Sequence, residues 1–198
     1  WPSARRSSPA MALRRDRTRR PLRVATYNIR LGIQLGVGAC ADALRAFAPD
    51  LVALQEVGLR WTMGPDGDTT GELATALGFA HALHVPAIRT DDDARYGTAL
   101  LSRSEPIDVV EILDLPRTRD EPRKALVARI GDLTVLSTHL SHLEDERPPQ
   151  GEALLERAST EAFNGPTLVL GDLNEGGPSP WLDRLLERFV AAPPGPTH

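Results

Sequence analysis

The sequence contains one cysteine, few aromatic residues and no long apolar run. Cys40 stands alone, which excludes an intramolecular disulfide bond and a zinc site built from cysteines. No stretch approaches the roughly 18 consecutive apolar residues of a membrane-spanning helix, so we predict no transmembrane segment. Aromatic residues make up only 5% of the chain, and this scarcity gives little support to binding at a membrane lipid.

The size and composition are those of one globular domain. A chain of 198 residues, of which 41% are apolar and 25% charged, is long enough to bury a substantial core. Cys40 lies among small residues in the stretch 38–42, and we predict that it is a buried helix residue rather than a reactive thiol. We expect a monomer.

The charge of the chain is divided unevenly along its length. Residues 1–23 contain eight arginines and one acidic residue, whereas residues 24–198 contain 15 basic and 26 acidic residues, a net charge of −11. A body this acidic binds polyanionic nucleic acid poorly when no specific contacts are made. It is better suited to a metal-dependent site or to a small substrate.

The basic N-terminal segment has no apolar core of the kind that a secretory signal contains. It begins at Trp1 and is rich in Arg, Ser and Pro, and Met11 is an alternative start. We predict that residues 1–21 form a disordered arm, that residues 22–198 form the domain, and that the protein is cytoplasmic. Docking of the arm on nucleic acid or on an anionic membrane is the alternative.

The hydrophobic pattern predicts eight strands and four helices. The strands are expected near 22–29, 51–54, 79–84, 97–101, 107–113, 123–130, 133–138 and 167–170, and the helices near 39–48, 70–77, 148–162 and 178–189. Thr69 and Glu72 have the spacing of a capping box, and Gly131-Asp132 is a two-residue hairpin turn. Strands and helices interleaved in this order predict a mixed α/β sandwich.

Two polar residues at predicted strand ends indicate a metal site. Glu56 ends an apolar strand, where a carboxylate is costly to bury unless it is paired or binds a cation. Asn28 ends the neighbouring predicted strand and offers an amide oxygen. Mg²⁺ prefers oxygen ligands and often takes only one or two carboxylates, so the two residues together predict a Mg²⁺ site. Taken singly, each is better explained as a loop cap or a surface group.

Three further residues at strand ends have the chemistry of phosphoester hydrolysis. His139 can bond a phosphate oxygen or act as a general acid, Asp172 can orient or deprotonate a water, and Asn174 can stabilise a pentacovalent phosphate. Asp172 and Asn174 share a face if the backbone is extended. The alternatives are a structural histidine and an Asx turn. His142 is predicted as a supporting or surface residue.

Five motifs in order resemble the Mg²⁺-dependent endonuclease/exonuclease/phosphatase superfamily, which has the DNase I-like fold. They span about 22–190 and read Thr26-Tyr27-Asn28, Leu54-Gln55-Glu56-Val57, Tyr96-Gly97-Thr98-Ala99-Leu100-Leu101-Ser102, Ser137-Thr138-His139-Leu140 and Gly171-Asp172-Leu173-Asn174. The resemblance implies a four-layer αββα sandwich of two mixed sheets. It also implies that Asn28 and Glu56 serve Mg²⁺, with Mn²⁺ as a substitute, that His139 serves the phosphate, and that Asp172 and Asn174 serve the water and the transition state.

The chain departs from the superfamily pattern at two places. Thr98 stands where the family often has Asn. The family also closes with two strands and a Ser-Asp-His motif, whereas this chain ends at Thr197-His198 in a Pro-rich stretch. We therefore expect a domain that lacks its last strands, with an exposed sheet edge. The chain as given is expected to have little or no turnover, and the intact protein to be active.

Together these residues and motifs predict a hydrolase of phosphoester bonds, foremost a phosphodiesterase that uses in-line attack of an activated water. A non-catalytic relative that binds a phosphorylated ligand or partner is the alternative. The superfamily includes nucleases, abasic-site endonucleases, sphingomyelinases and inositol phosphate phosphatases. A small molecule, a lipid head group and a nucleic acid all remain open as the substrate.

Overall fold

The computed structural model describes residues 20–160, 163 and 165–192 of the chain. The strands are β1 (Val24–Asn28), β2 (Leu51–Leu59), β3 (His81–Arg89), β4 (Arg95–Ser102), β5 (Asp108–Asp114), β6 (Lys124–Ile130), β7 (Leu133–His139) and β8 (Thr167–Asp172). The helices are α1 (Gly36–Phe47), α2 (Thr69–Leu77), α3 (Arg147–Ala158) and α4 (Pro180–Leu186). A 3₁₀ turn covers Arg30–Gly32. Nearly all of the predicted N-terminal arm and the final residues 193–198 lie outside the described residues.

The strands form two mixed four-stranded sheets. The first sheet has the order β1-β2-β4-β3, with β1 parallel to β2 and the other pairs antiparallel. The second has the order β5-β6-β7-β8, with β7 parallel to β8 and the other pairs antiparallel. β1 and β8 are edge strands of their sheets within the described residues, and they contact each other.

Three apolar clusters separate four layers, as the sequence predicted. One cluster packs α1 and α2 on the first sheet, and a second packs α3 and α4 on the second sheet. The third lies between the sheets and includes Leu51 and Leu100 from the first sheet and Leu126 and Val135 from the second. The order of layers is therefore helices, sheet, sheet, helices, which is a four-layer αββα sandwich.

Helix α1 contains the lone cysteine as predicted. Cys40 is 7% exposed and belongs to the cluster between α1 and the first sheet. Burial raises the pKa of its thiol, so it stays protonated at neutral pH. This cysteine is therefore a small packing residue.

Several element boundaries differ from the prediction, among them the end of β3 at Arg89 rather than near 84 and the start of α1 at Gly36 rather than near 39. β2 continues to Leu59 because a bulge follows Gln55, where the polar residues suggested that the strand ends. Thr69 does not cap α2: its hydroxyl accepts from the Gly58 N–H at 2.8 Å and donates to the Gly58 carbonyl at 3.0 Å. α3 ends at Ala158 rather than near 162, and the Ser159 hydroxyl donates to a carbonyl in its last turn.

The predicted hairpin turn is present. β6 ends at Ile130 and β7 begins at Leu133, so Gly131-Asp132 forms a two-residue loop. Gly131 has a φ of +57°, a left-handed conformation that glycine adopts without a steric penalty. This turn fixes the register of β6 against β7, which matters for the site described below.

None of the helices in the described part of the chain is long and apolar enough to cross a membrane.

Candidate active site

Four strand ends meet at one end of the sandwich. β1 and β2 run parallel in the first sheet, and β7 and β8 run parallel in the second. Asn28, His139 and Asp172 are the last residues of β1, β7 and β8, and Glu56 follows the last residue of β2 that pairs with β1. A cleft of about 710 Å³ opens along β1 and the start of the loop after β8. In α/β folds, ligands bind in the crevice beside the carboxyl ends of the strands.

Asn28 joins the two carboxylates of the site. Its Nδ2 donates to Glu56 Oε1 at 2.7 Å and to Asp172 Oδ2 at 3.1 Å. Its Oδ1 accepts from the Arg30 backbone N–H at 3.0 Å, at the start of the 3₁₀ turn. The amide thus links the first sheet to the second and holds a carboxylate from each.

Glu56 occupies the β-bulge in β2. Its φ is +55°, and the pairing with β4 shifts register between Gln55 and Val57. Bulges often re-aim side chains next to active sites. Gln55 holds the preceding backbone in place, because it is 1% exposed and its Nε2 donates to Thr26 Oγ1 at 3.1 Å. The bulge therefore leaves the Glu56 carboxylate partly exposed in a strand that is otherwise mostly buried.

Asp172 and Asn174 are brought together by a turn and not by extended backbone. Asp172 Oδ1 accepts from the Asn174 backbone N–H at 3.0 Å, and Asn174 has a φ of +50°. The Asx turn weighed as an alternative is present, and it leaves Asp172 Oδ2 directed to Asn28. Gly171 precedes them with a φ of +152°, and a Cβ there would lie 2.1 Å from the Thr138 carbonyl oxygen.

His139 lies beneath these residues and is 5% exposed. Its Nε2 is 3.2 Å from Asn174 Nδ2 and 4.0 Å from Asp172 Oδ2. Burial, together with the Arg123 guanidinium, lowers the pKa of His139 to about 4, although Asp172 acts in the opposite direction. The imidazole is therefore neutral at neutral pH.

Arg123 is part of the site and is absent from the predicted set. It is 6% exposed, and its Nη1 lies 2.7 Å from His139 Nδ1. The two-residue hairpin turn implies its place: the register pairs Ala125 with Thr138, so the residues just before β6 lie beside the end of β7. Counting back from the turn would have placed Arg123 next to His139.

The segment before β6 is held by one buried carboxylate. Glu146 is 1% exposed, and its Oε1 accepts from the backbone N–H groups of Thr118 at 2.8 Å and Arg119 at 2.7 Å and from the Thr118 hydroxyl at 2.7 Å. The hydrogen bond from the Arg119 N–H, followed by that from the Thr118 hydroxyl, lowers the pKa of Glu146 to about 2. The segment that carries Arg123 toward His139 is thereby fixed.

His142, His81 and His84 lie outside this group of residues. The His142 side chain is 66% exposed, with Nδ1 3.4 Å from Asp120 Oδ2. His81 and His84 lie on β3, where burial lowers the pKa of His84. Thr98 is buried on β4 opposite Gln55. His198 lies outside the described residues.

The donor set fits a hard divalent cation. Glu56 and Asp172 present carboxylate oxygens on the two sides of the Asn28 amide, and oxygen is the ligand atom that such a cation prefers. Within the described ranges, no group of three or more His, Cys, Asp or Glu side chains is arranged to hold a metal ion. Mg²⁺ sites often use one or two carboxylates and complete the coordination with water and substrate phosphate.

A sequence profile of the Endonuclease/Exonuclease/phosphatase family matches residues 25–198, so the chain belongs to that family. No curated protein sequence matches the chain at a significant level.

Solved structures share the fold. An endonuclease/exonuclease/phosphatase from Beutenbergia cavernae DSM 12333 is 26% identical with a TM-score of 0.62, over 82% of this chain and 51% of that one. TDP2 from C. elegans is 21% identical with a TM-score of 0.56, over 80% and 51%. ANGEL2, described as a 2',3'-cyclic phosphatase, is 18% identical with a TM-score of 0.58, over 84% and 56%. The chain thus spans about half the length of the Beutenbergia structure.

Proposed function

We propose that this chain is the core of a Mg²⁺-dependent phosphodiesterase, with Mn²⁺ as a substitute. The observation that carries the proposal is the network around Asn28, whose Nδ2 lies 2.7 Å from Glu56 Oε1 and 3.1 Å from Asp172 Oδ2. Glu56 is the metal ligand and Asn28 its companion, either as a ligand or by holding Glu56 in place. When bound, the metal supplies charge neutralisation at the phosphate.

The remaining residues divide the work of hydrolysis. Asp172 Oδ2 accepts a hydrogen bond from the attacking water and takes its proton as the water oxygen bonds to phosphorus. His139 and Asn174 donate N–H groups to phosphate oxygens, whose charge grows as the bond from phosphorus to the leaving oxygen breaks. The leaving oxygen takes a proton from solvent. The 31% exposure of the Asp172 side chain leaves room for that water.

The charge of the chain and one structural neighbour support a substrate class. Residues 24–198 carry a net charge of −11, which disfavours gripping a long polyanion. ANGEL2 is described as a 2',3'-cyclic phosphatase, and a 2',3'-cyclic phosphate is a phosphodiester. We therefore propose a small phosphodiester ahead of duplex DNA, with a lipid-derived diester as the alternative.

The test is hydrolysis of bis(p-nitrophenyl) phosphate and of p-nitrophenyl phosphate by the complete gene product and by the 198-residue chain. We expect Mg²⁺-dependent release from the diester that a chelator abolishes. Asp172→Asn should lower kcat by about 10²–10⁴-fold, the range for loss of a general base. Asp132→Asn, in the exposed hairpin turn, is the matched control.

Two results would overturn the proposal. A complete gene product that binds inorganic phosphate but hydrolyses neither ester would favour the non-catalytic relative. Hydrolysis that Asp172→Asn leaves unchanged would remove Asp172 from the reaction.

A further inference from the structure

His139 meets two hydrogen-bond donors but has one lone pair to offer. Arg123 Nη1 lies 2.7 Å from its Nδ1, and Asn174 Nδ2 lies 3.2 Å from its Nε2. A neutral imidazole has one N–H group and one acceptor nitrogen. Only one of the two contacts can therefore be a hydrogen bond to a lone pair, and the choice decides which nitrogen carries the hydrogen.

The lone pair of His139 accepts the hydrogen bond from Arg123. A guanidinium can only donate, it is always charged, and a buried charge must be paired. Its hydrogen bonds are charge-assisted, and these are stronger and shorter than neutral ones. The distances agree, since 2.7 Å to Arg123 is a short bond and 3.2 Å to Asn174 is a long one.

The amide of Asn174 has a fixed orientation, so it cannot resolve the conflict by turning over. Its Nδ2 donates to the Leu140 carbonyl at 2.8 Å. If the amide were flipped, its oxygen would lie 2.8 Å from the Leu140 carbonyl oxygen, and two acceptors would face each other. Nδ2 therefore faces His139, and both groups present hydrogens toward the same region.

Two carboxylates also hold Arg123 in place. Its Nη2 lies 2.8 Å from Glu121 Oε1 and 3.8 Å from Asp120 Oδ2. Asp120 in turn accepts from the Ser141 hydroxyl just past β7. The guanidinium is thus clamped by two carboxylates that leave Nη1 directed at the imidazole.

We propose that Arg123 is a positioning residue that holds His139 in the tautomer with hydrogen on Nε2. In this tautomer His139 and Asn174 present two N–H groups, 3.2 Å apart, that converge on one phosphate oxygen of the substrate. His139 is then a donor and never the base that deprotonates water, which leaves that step to Asp172. The use of the two donors rests on the proposed function, whereas the tautomer does not.

The direct test is ¹⁵N NMR of the histidine side chains in the metal-free 198-residue chain at pH 7.5. His139→Gln assigns the His139 signals among the five histidines. We expect Nδ1 to appear as the unprotonated nitrogen and Nε2 as the protonated one. A wild-type spectrum with the hydrogen of His139 on Nδ1, or with both tautomers averaged, would contradict the proposal.

Two variants at Arg123 separate positioning from simple packing. Arg123→Lys keeps a cationic donor without an acceptor, and it should retain the Nε2–H tautomer. Arg123→Met keeps an apolar stem of similar length and removes the donor, so the hydrogen should move to Nδ1 or average between the nitrogens. A Met variant that folds and still shows only Nε2–H would contradict the assignment.

The kinetic consequence is measured in the complete gene product with a small diester. We expect Arg123→Met to lower kcat by at least about tenfold with a smaller change in KM, and Arg123→Lys to recover part of the loss, because a misplaced hydrogen removes a transition-state donor. Equal loss in Lys and Met variants would reject the positioning role. If the gene product hydrolyses no phosphoester, the proposed function fails while the NMR result still decides the tautomer.

Discussion

Glu56 combines a left-handed backbone with a carboxylate near a second one, two features that a stable protein otherwise avoids. A non-glycine residue in this conformation costs about 1–3 kcal/mol, and such strain persists where the surrounding structure enforces it. Here the ladder on both sides of the bulge and the bond from Asn28 enforce it. The arrangement is understandable if Glu56 binds a cation, which would offset the repulsion between the carboxylates.

Glu56→Gln should weaken binding of Mn²⁺ by at least about tenfold, because loss of even a supporting residue at a metal site costs about 10–100-fold in affinity. The substitution keeps the shape of the side chain and removes its charge. Isothermal titration of the 198-residue chain with Mn²⁺ measures the effect. Glu105→Gln, on an exposed loop, is the control, and equal affinity in both variants would remove Glu56 from the metal site.

His139 should make the protein less stable as the pH falls below neutral. Its folded-state pKa of about 4 lies below the ordinary value of 6.5, so the unfolded chain takes up the proton first. The free energy of unfolding should therefore decrease progressively from about pH 6.5 to about pH 4 and lose nothing more from this group below that.

Urea denaturation at pH 7.5 and at pH 5 checks this expectation in the wild type and in His139→Asn. The wild type should lose more stability between the two pH values than the variant, since the variant lacks the group that titrates. His142→Asn replaces an exposed imidazole and should behave as the wild type does. A wild type and a His139→Asn variant with the same pH dependence would show that burial of His139 is not linked to protonation.

For single residues, the sequence could indicate which ones lie at the candidate site, but not how they are hydrogen-bonded to one another. Asn28, Glu56, His139, Asp172 and Asn174 all lie within one cluster, because four of them end or follow a strand and Glu56 lies in the bulge where β2 runs past the end of β1. Their roles in binding metal and in the reaction remain predictions. Arg123 escaped notice because an arginine before an apolar strand is ordinary in isolation, and only the register of β6 on β7 brings it to His139.

At the scale of elements, the end of β8 depends on a glycine that nothing else can replace. Gly171→Ala would place a Cβ 2.1 Å from the Thr138 carbonyl oxygen in the parallel neighbour β7. The two strands must separate or Asp172 must move. We expect a loss of at least about 2 kcal/mol in the free energy of unfolding, the size typical of strain at a special backbone conformation.

Denaturant titration measures that loss, and Gly176→Ala supplies the control from the loop that follows β8. A Cβ at Gly176 would meet no atom within 4 Å, so its effect should stay within about 0.5 kcal/mol. In the complete gene product, Gly171→Ala should also lower kcat because it displaces Asp172. Similar stabilities for the two variants would mean that β7 and β8 tolerate the added methyl group.

The pattern of elements was predictable because the strands differ in how they are buried. β2 and β8 read as short continuous apolar runs, the pattern of strands that are covered on both faces. In the structure β2 is almost wholly buried, whereas β8 is half-buried and lies at the edge of its sheet within the described residues. The end of β2 and the cap of α2 differed from the prediction because polar residues there bond to partners elsewhere in the chain. Gln55 bonds to Thr26, and Thr69 bonds to the Gly58 backbone. A single sequence does not reveal such pairings, since each requires a partner far along the chain.

At the scale of the whole molecule, the basic N-terminal segment and the acidic domain invite the question of whether they act together. Arg20 reaches from this segment to the domain, with Nη1 2.9 Å and Nη2 2.5 Å from the Asp50 carboxylate oxygens. Its side chain is 65% exposed, and surface pairs of this kind contribute about 0–1 kcal/mol. Asp50 lies at the start of β2, at the opposite end of that strand from Glu56.

Deleting residues 1–21 should therefore leave hydrolysis of a small diester by the complete gene product within about twofold of the wild-type rate, because a contact at the far end of β2 does not reach the strand ends of the site. Stability should fall no more than in Arg20→Gln, which removes the same ion pair within the intact chain. Titration with duplex DNA at low and physiological salt completes the comparison. The deletion should weaken this binding in proportion to the charges lost, whereas a large loss of diester hydrolysis would give the arm a part in the reaction.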